Sequence, residues 1–157
     1  MLKMMRIAFL ALAVTLLGIG GAQAQGILTA ADYAEINQLY ASYNLALDAG
    51  DAEAWADVFT EDGVFGNSEG RAGLVEFATG FHGQQQGNAR HWNANVHVTA
   101  TADGAEGTCY LMLWNVGTRP ASLIVSGIYH DTLAKTAKGW RFTSRRVEAD
   151  GPAQSDR

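Results

Sequence analysis

RHWNANVHVTATADGAEGTCYLMLW, residues 90–114, decides the fold. Two long extended runs flank Asp103-Gly104, the strongest hairpin signal in the chain. The first run, residues 90–101, alternates polar and apolar side chains, as a half-solvated strand does. The return run, residues 105–114, is apolar on both faces around Tyr110, Leu111, Met112, Leu113 and Trp114. Downstream, residues 122–133 read as a third long strand, Ala137-Lys138-Gly139 as a turn, and residues 140–148 as a fourth.

Upstream the period changes. Thr29 has N-cap chemistry, with Asp32 three residues on as a capping-box partner. Ile36, Leu39, Tyr40, Tyr43 and Leu47 then recur at helical spacing until Ala49-Gly50. Asp51 caps a short second helix carrying Trp55, Val58 and Phe59. Glu61-Asp62-Gly63 reads as a turn before a short strand at Val64-Phe65. Residues 71–81 read as a third helix, with Leu74, Val75 and Phe77 inward, and Gly83 to Gly87 as a polar loop. Helices grouped ahead of an antiparallel meander predict an α+β fold rather than a doubly wound sheet. A curved sheet wrapping its helices makes a cone whose mouth can hold a ligand.

The chain starts with Lys3 and Arg6, an apolar run from Ile7 to Ile19, and Ala22-x-Ala24. These are the three parts of a secretory leader with cleavage after Ala24. The apolar run is shorter than the roughly 20 residues of a spanning helix. We therefore expect a leader at 1–24, one domain at 25–150, a frayed polar tail at 151–157, and a periplasmic or secreted product. Loss of Lys3 and Arg6 makes the formal net charge of −5 two units more negative. An acidic domain without a basic stripe is not built for nucleic acid or an anionic membrane. Cys109 is the only cysteine, so no intrachain disulfide forms, and it reads as a small buried hydrophobe.

Five runs come in order: Tyr43 to Asp51, Trp55-x3-Phe59 to Gly63, His91-x3-Asn95, Gly127-x-Tyr129-x-Asp131, and Gly139 to Phe142 followed by Arg145. Together they resemble the SnoaL-like families of the nuclear-transport-factor-2-like superfamily, from about Asp32 to Val147. The resemblance implies a cone-shaped fold, three helices on a curved antiparallel sheet, often dimeric through that sheet. It implies less about activity, because the superfamily holds dehydratases, isomerases, cyclases, hydrolases and plain binding proteins. Dehydratases of the scytalone and bile-acid types place Asp at the position matching Asp48 and His at that matching His91. The bile-acid type also has Tyr matching Tyr43. The second histidine of the scytalone type has no match in Tyr110 to Asn115.

The implied set is chemically coherent. Elimination beside a carbonyl needs a base for a carbon-bound proton and an acid for the departing hydroxide. His titrates nearest neutrality, an Asp fixes its tautomer, and a Tyr polarises a carbonyl or protonates the leaving group. Candidate catalytic residues are therefore Tyr43, Asp48 and His91. Candidate substrate-binding residues are Trp55, Phe59, Phe65, Phe77 and Asn95, with Trp92 as a further wall. Asp48 reaches inward if the helix frays after Leu47. Asn93 and Asn95 follow His91 towards the cavity unless a bulge intervenes. Each residue also has a plain reading: Tyr43 as a core aromatic, Asp48 as a turn residue, His91 as a core histidine.

No cofactor or metal is expected. His91 and His97 would stand roughly 20 Å apart on an extended strand, and no paired ligand motif is present. Gly70-x-x-Gly73 lacks the context of a phosphate loop, and Ser126 and Ser144 lack a nucleophile elbow. The sequence thus leaves two functions foremost, ahead of a third, a structural or assembly role through the sheet face. One is a cofactor-independent lyase or isomerase acting on a small hydroxy-carbonyl compound. The other is a non-catalytic periplasmic holder of such a molecule. The expected partners are that ligand and a second copy of the chain.

Overall fold

The computed structural model describes residues 26–151. The leader expected at 1–24 and the tail beyond Gly151 lie outside the described residues. Helix α1, Ala30–Ala49, starts where the capping chemistry places it. The Thr29 hydroxyl accepts from the Asp32 N–H at 3.2 Å, and the Asp32 carboxylate accepts from the Thr29 N–H at 2.9 Å. That carboxylate also accepts from Lys135 Nζ (2.6 Å) and Trp140 Nε1 (2.9 Å), tying the helix start to the far end of the sheet. Lys135 above all holds the Asp32 carboxyl well below the usual carboxylate range. Gly50, at φ 75°, ends α1 in the left-handed conformation that glycine adopts freely. A β-carbon there would also strike the His82 ring at 2.7 Å.

Asp51 caps α2, Ala52–Ala56, by accepting from the Ala54 N–H. Helix α2 stops at Ala56, so Val58 and Phe59, expected on it, lie beyond its end, and Phe59 opens strand β1, Phe59–Phe65; β2 is Ser68–Glu69. The expected turn at Glu61-Asp62-Gly63 is instead part of β1. Its pairing with the last strand shifts register between Phe59 and Val64, so the polar residues form an irregularity in the strand rather than its end. Helix α3 spans Gly70–Gln85 and takes in most of the segment expected as a loop. Gln86, at φ 52°, closes it, its N–H turned back onto the Gly83 and His82 carbonyls.

Four long strands follow: β3, Ala89–Ala100; β4, Ala105–Asn115; β5, Ser122–Thr136; and β6, Gly139–Ala149. The sheet order is β2-β1-β6-β5-β4-β3, with β1 parallel to β6 and the other neighbours antiparallel. This is the expected α+β cone. The helices cover one face of the curved sheet. Ile36, Tyr40, Tyr43 and Leu47 of α1, Trp55 of α2 and Leu74 of α3 meet Leu111, Leu113, Tyr129, Leu133 and Phe142, all buried. Each buried side chain of this size contributes about 1.5–3 kcal/mol, so this face dominates stability. Leu133 faces Phe142 while Thr132 faces Ser144, which makes Thr143 an extra residue in β6. The added residue lets Phe142 and Arg145 both point inward despite their opposite parity.

Candidate functional site

Helix α1 crosses the sheet with its C-terminal turn against the start of β3, and there the two residues separated by 43 positions meet. Asp48 Oδ1 lies 2.6 Å from His91 Nδ1, and Oδ2 accepts from the His91 backbone N–H at 3.0 Å. The side chains are 10% and 3% exposed. The helix does not fray to achieve this: Asp48 is still helical, one residue beyond the inward Leu47. A carboxylate and an imidazole are costly to bury unless they satisfy each other, and here both carboxylate oxygens are used. With the Asp48 carboxylate at Nδ1, Nε2 is the ring nitrogen that faces away from it.

The His91 ring stands edge-on to Tyr43, centroids 6.4 Å apart, and 5.6 Å from Phe81. Tyr43 is fully buried, and the polar side chains nearest its hydroxyl are those of Tyr129 and Arg145. Burial pushes this phenol up to about 12, against the opposing charge of Arg145, so it is a neutral potential donor. Trp55, Phe59 and Phe65 surround Tyr43 at 5.3, 6.1 and 6.3 Å. Phe77 joins them, 4.7 Å from Phe65 and 5.5 Å from Trp55. Phe81, half-buried, continues this aromatic chain from Phe77 to His91.

Two of the expected lining residues lie elsewhere. Trp92 is 58% exposed on the outer sheet face, 5.6 Å from Trp114. Asn95 is exposed at a bulge between Ala94 and His97, with φ 55°. Asn tolerates the left-handed region better than most side chains, so the bulge settles there and reverses the parity of the strand. Beyond it Val98 is buried, whereas His97 is exposed. The polar residue that follows His91 inward is Asn93. Both its side-chain nitrogen and oxygen are buried without a partner.

A second polar group was not read from the sequence. Arg145 is wholly buried and donates through Nε and Nη2 to the two oxygens of Asp131, at 2.7 and 2.8 Å. The Tyr40 hydroxyl donates to the same carboxylate at 2.5 Å. The guanidinium carbon lies 4.1–4.8 Å from the ring centres of Phe142, Tyr43, Tyr129 and Tyr40. Burial alone would lower the Arg145 pKa, but the charge and hydrogen bonds of Asp131 raise it further. The available signal was two charges, Asp131 and Arg145, in strands whose neighbours alternate towards the core.

Among the described residues no three His, Cys, Asp or Glu side chains gather as metal ligands do. Two surface depressions of about 350 and 360 Å³ lie away from the dyad. One is on the outer face around His97, His130 and Arg146, the other beside Arg71, Thr60 and Arg141.

The solved structures repeat this architecture. A nuclear-transport-factor-2-like protein with a cystatin-like fold from Novosphingobium aromaticivorans is 27% identical, with a TM-score of 0.72 over 78% of this chain and 85% of that one. A Catenulispora acidiphila protein in complex with S-DNPA is 29% identical, with a TM-score of 0.67 over 77% and 95%. A Mycobacterium tuberculosis protein of unknown function is 28% identical, with a TM-score of 0.69 over 78% and 74%. No curated protein matches. The SnoaL-like domain family matches residues 28–146, nearly all of the described chain, and the protein belongs to it.

Proposed function

We propose that this protein is an exported, cofactor-independent dehydratase or isomerase of a small hydroxy-carbonyl compound. The observation that carries the reading is the Asp48–His91 pair, buried among aromatic rings beside a neutral phenol. In this reading His91 Nε2 takes a proton from the carbon next to the carbonyl. The C–H electron pair moves to the carbonyl as an enolate, and the hydroxyl at the next carbon leaves as water with a donated proton. Asp48 stabilises the imidazolium that forms, and Tyr43 donates to the carbonyl oxygen or to the leaving hydroxyl. A second reading, a non-catalytic holder of the same ligand, is favoured by β4. Its inward residues at this level, Leu111 and Leu113, are apolar where a scytalone-type enzyme carries its second histidine.

A thermal-shift screen of the mature domain against hydroxy-carbonyl metabolites, with product analysis of each hit, separates the two. The enzyme reading expects a stabilising compound to lose water or move a double bond. Stabilisation without conversion selects the holder.

Export and self-association complete the proposal. The mature chain should begin at Gln25, and N-terminal sequencing that still found Met1 would count against export. On the outer sheet face, Trp92 is 58% exposed, Tyr110 52%, Leu123 48% and Ile124 43%. Adjacent exposed aromatic and aliphatic side chains of this kind mark an interaction surface. A second copy packed sheet to sheet would cover them. Light scattering should give a dimer mass at micromolar concentration, and a monomer there would sink the idea.

A further inference from the structure

The interior beside the dyad contains polar atoms that the protein itself does not satisfy. Asn93 stands out among them: both its Nδ2 and its Oδ1 are buried without a partner. Folded proteins bury few such atoms, because each loses its hydrogen bonds to water and regains nothing. The Tyr43 hydroxyl has Tyr129 and Arg145 beside it, and the Arg145 guanidinium faces the Tyr43 ring. Asn93 has no such compensation. It lies two residues from His91 on the same inward face of β3, before the bulge, with Leu111 opposite on β4. Alternation leaves the two Cα atoms about 7 Å apart, so the two side chains are neighbours on one face of the strand.

We infer that Asn93 is a ligand-positioning residue, whose carboxamide receives the carbonyl oxygen of the molecule that His91 acts on. This inference rests on the reading of His91 as the working residue. The chemistry matches the amide. Nδ2 donates to the carbonyl oxygen and keeps that bond as the oxygen gains charge when His91 removes the neighbouring proton. Oδ1 accepts from a hydroxyl on the same molecule. A neutral amide with one donor side and one acceptor side therefore reads a carbonyl and a hydroxyl together, as in a β-hydroxy ketone. A carboxylate ligand, which only accepts, would leave Oδ1 unpaired and is selected against.

The test uses Asn93→Leu, nearly the same shape without the polar atoms. A ligand-directed amide is a burden to the free protein, so the variant should raise Tm by about 3 °C or more. An unchanged or lower Tm would mean that the amide serves the fold, and would overturn the inference. Titration of ¹⁵N-labelled wild-type protein with 4-hydroxy-4-methylpentan-2-one, a β-hydroxy ketone, should shift the Asn93 side-chain NH₂ resonances. It should bind Asn93→Leu at least tenfold more weakly, and equal binding to both proteins would overturn the inference. Where this probe is too weak to bind either protein, the Tm result decides alone. The same titration of His91→Ala separates the two ideas. An Asn93 shift retained in His91→Ala, with no screened compound converted by wild type, sinks the enzyme reading alone. A probe that binds wild type without moving the Asn93 NH₂ resonances sinks this inference whatever His91 does.

Discussion

On the proposed mechanism, replacing His91 by alanine should lower kcat/KM for any compound the protein converts at least about a hundredfold while leaving far-UV circular dichroism unchanged. A positioned general base contributes roughly 10²–10⁴-fold, and no other histidine contacts Asp48 to replace it. The fold should survive, because Asp48 keeps the backbone N–H of residue 91 as a donor in the variant. Asp48→Asn should be milder. Its amide oxygen can still accept from that N–H, but the charge that stabilises the imidazolium is gone, and we expect a loss of about tenfold to a hundredfold. The informative pattern is a fall in kcat larger than any rise in KM, which marks an interaction made in the transition state. Turnover in His91→Ala within threefold of wild type would remove His91 from the mechanism.

The largest stability effect should come from Arg145→Ala. Arg145 and Asp131 are both fully buried and share a two-point ion pair. Losing the guanidinium leaves the Asp131 carboxylate without its countercharge, with only the Tyr40 hydroxyl as a donor. Breaking a buried pair from one side costs about 3–5 kcal/mol, and four aromatic rings also lose the cation they face. Against a typical total of about 5–15 kcal/mol, that removes a large part of the stability. Urea unfolding followed by tryptophan fluorescence should show the midpoint collapse. The double change Arg145→Met with Asp131→Leu removes both charges and fills the space, and it should recover most of the loss. If Arg145→Ala unfolded at the wild-type midpoint, the pair would not hold the strands and α1 together as described.

Local chemistry carried far. The Thr29–Asp32 box, the Asp51 cap, Gly50 and the Asp103-Gly104 hairpin are short-range signals, and the structure uses each of them. Even so, the polar composition that marks loops misled at two places. Glu61-Asp62-Gly63 is held in β1 by its partner strand, and Gly83 to Gln85 stays helical because α3 closes only at Gln86. In β1 tertiary pairing overrides the turn composition; at Gly83 to Gln85 the glutamines are good helix formers and carry α3 to its cap.

For the site, the resemblance to SnoaL-like proteins pointed to Tyr43, Asp48 and His91, and spacing alone did not. Alone, the sequence determined the three helices, the four long strands, their order and the inward stripe of α1, because hydrophobic periodicity is a local property; the start of β1 and the two-residue β2 were not legible in it. Tertiary structure decided which polar residues share the interior. Asp48 meets His91 because α1 crosses β3, and Asp131 meets Arg145 because β5 pairs with a β6 that carries an extra residue at Thr143. Asn93 faces inward and Asn95 outward because one bulge reverses the alternation of β3. A single inserted residue exchanges the two faces of a strand for every residue beyond it. Whether it is present depends on pairing between strands, which a period of two along one chain does not record.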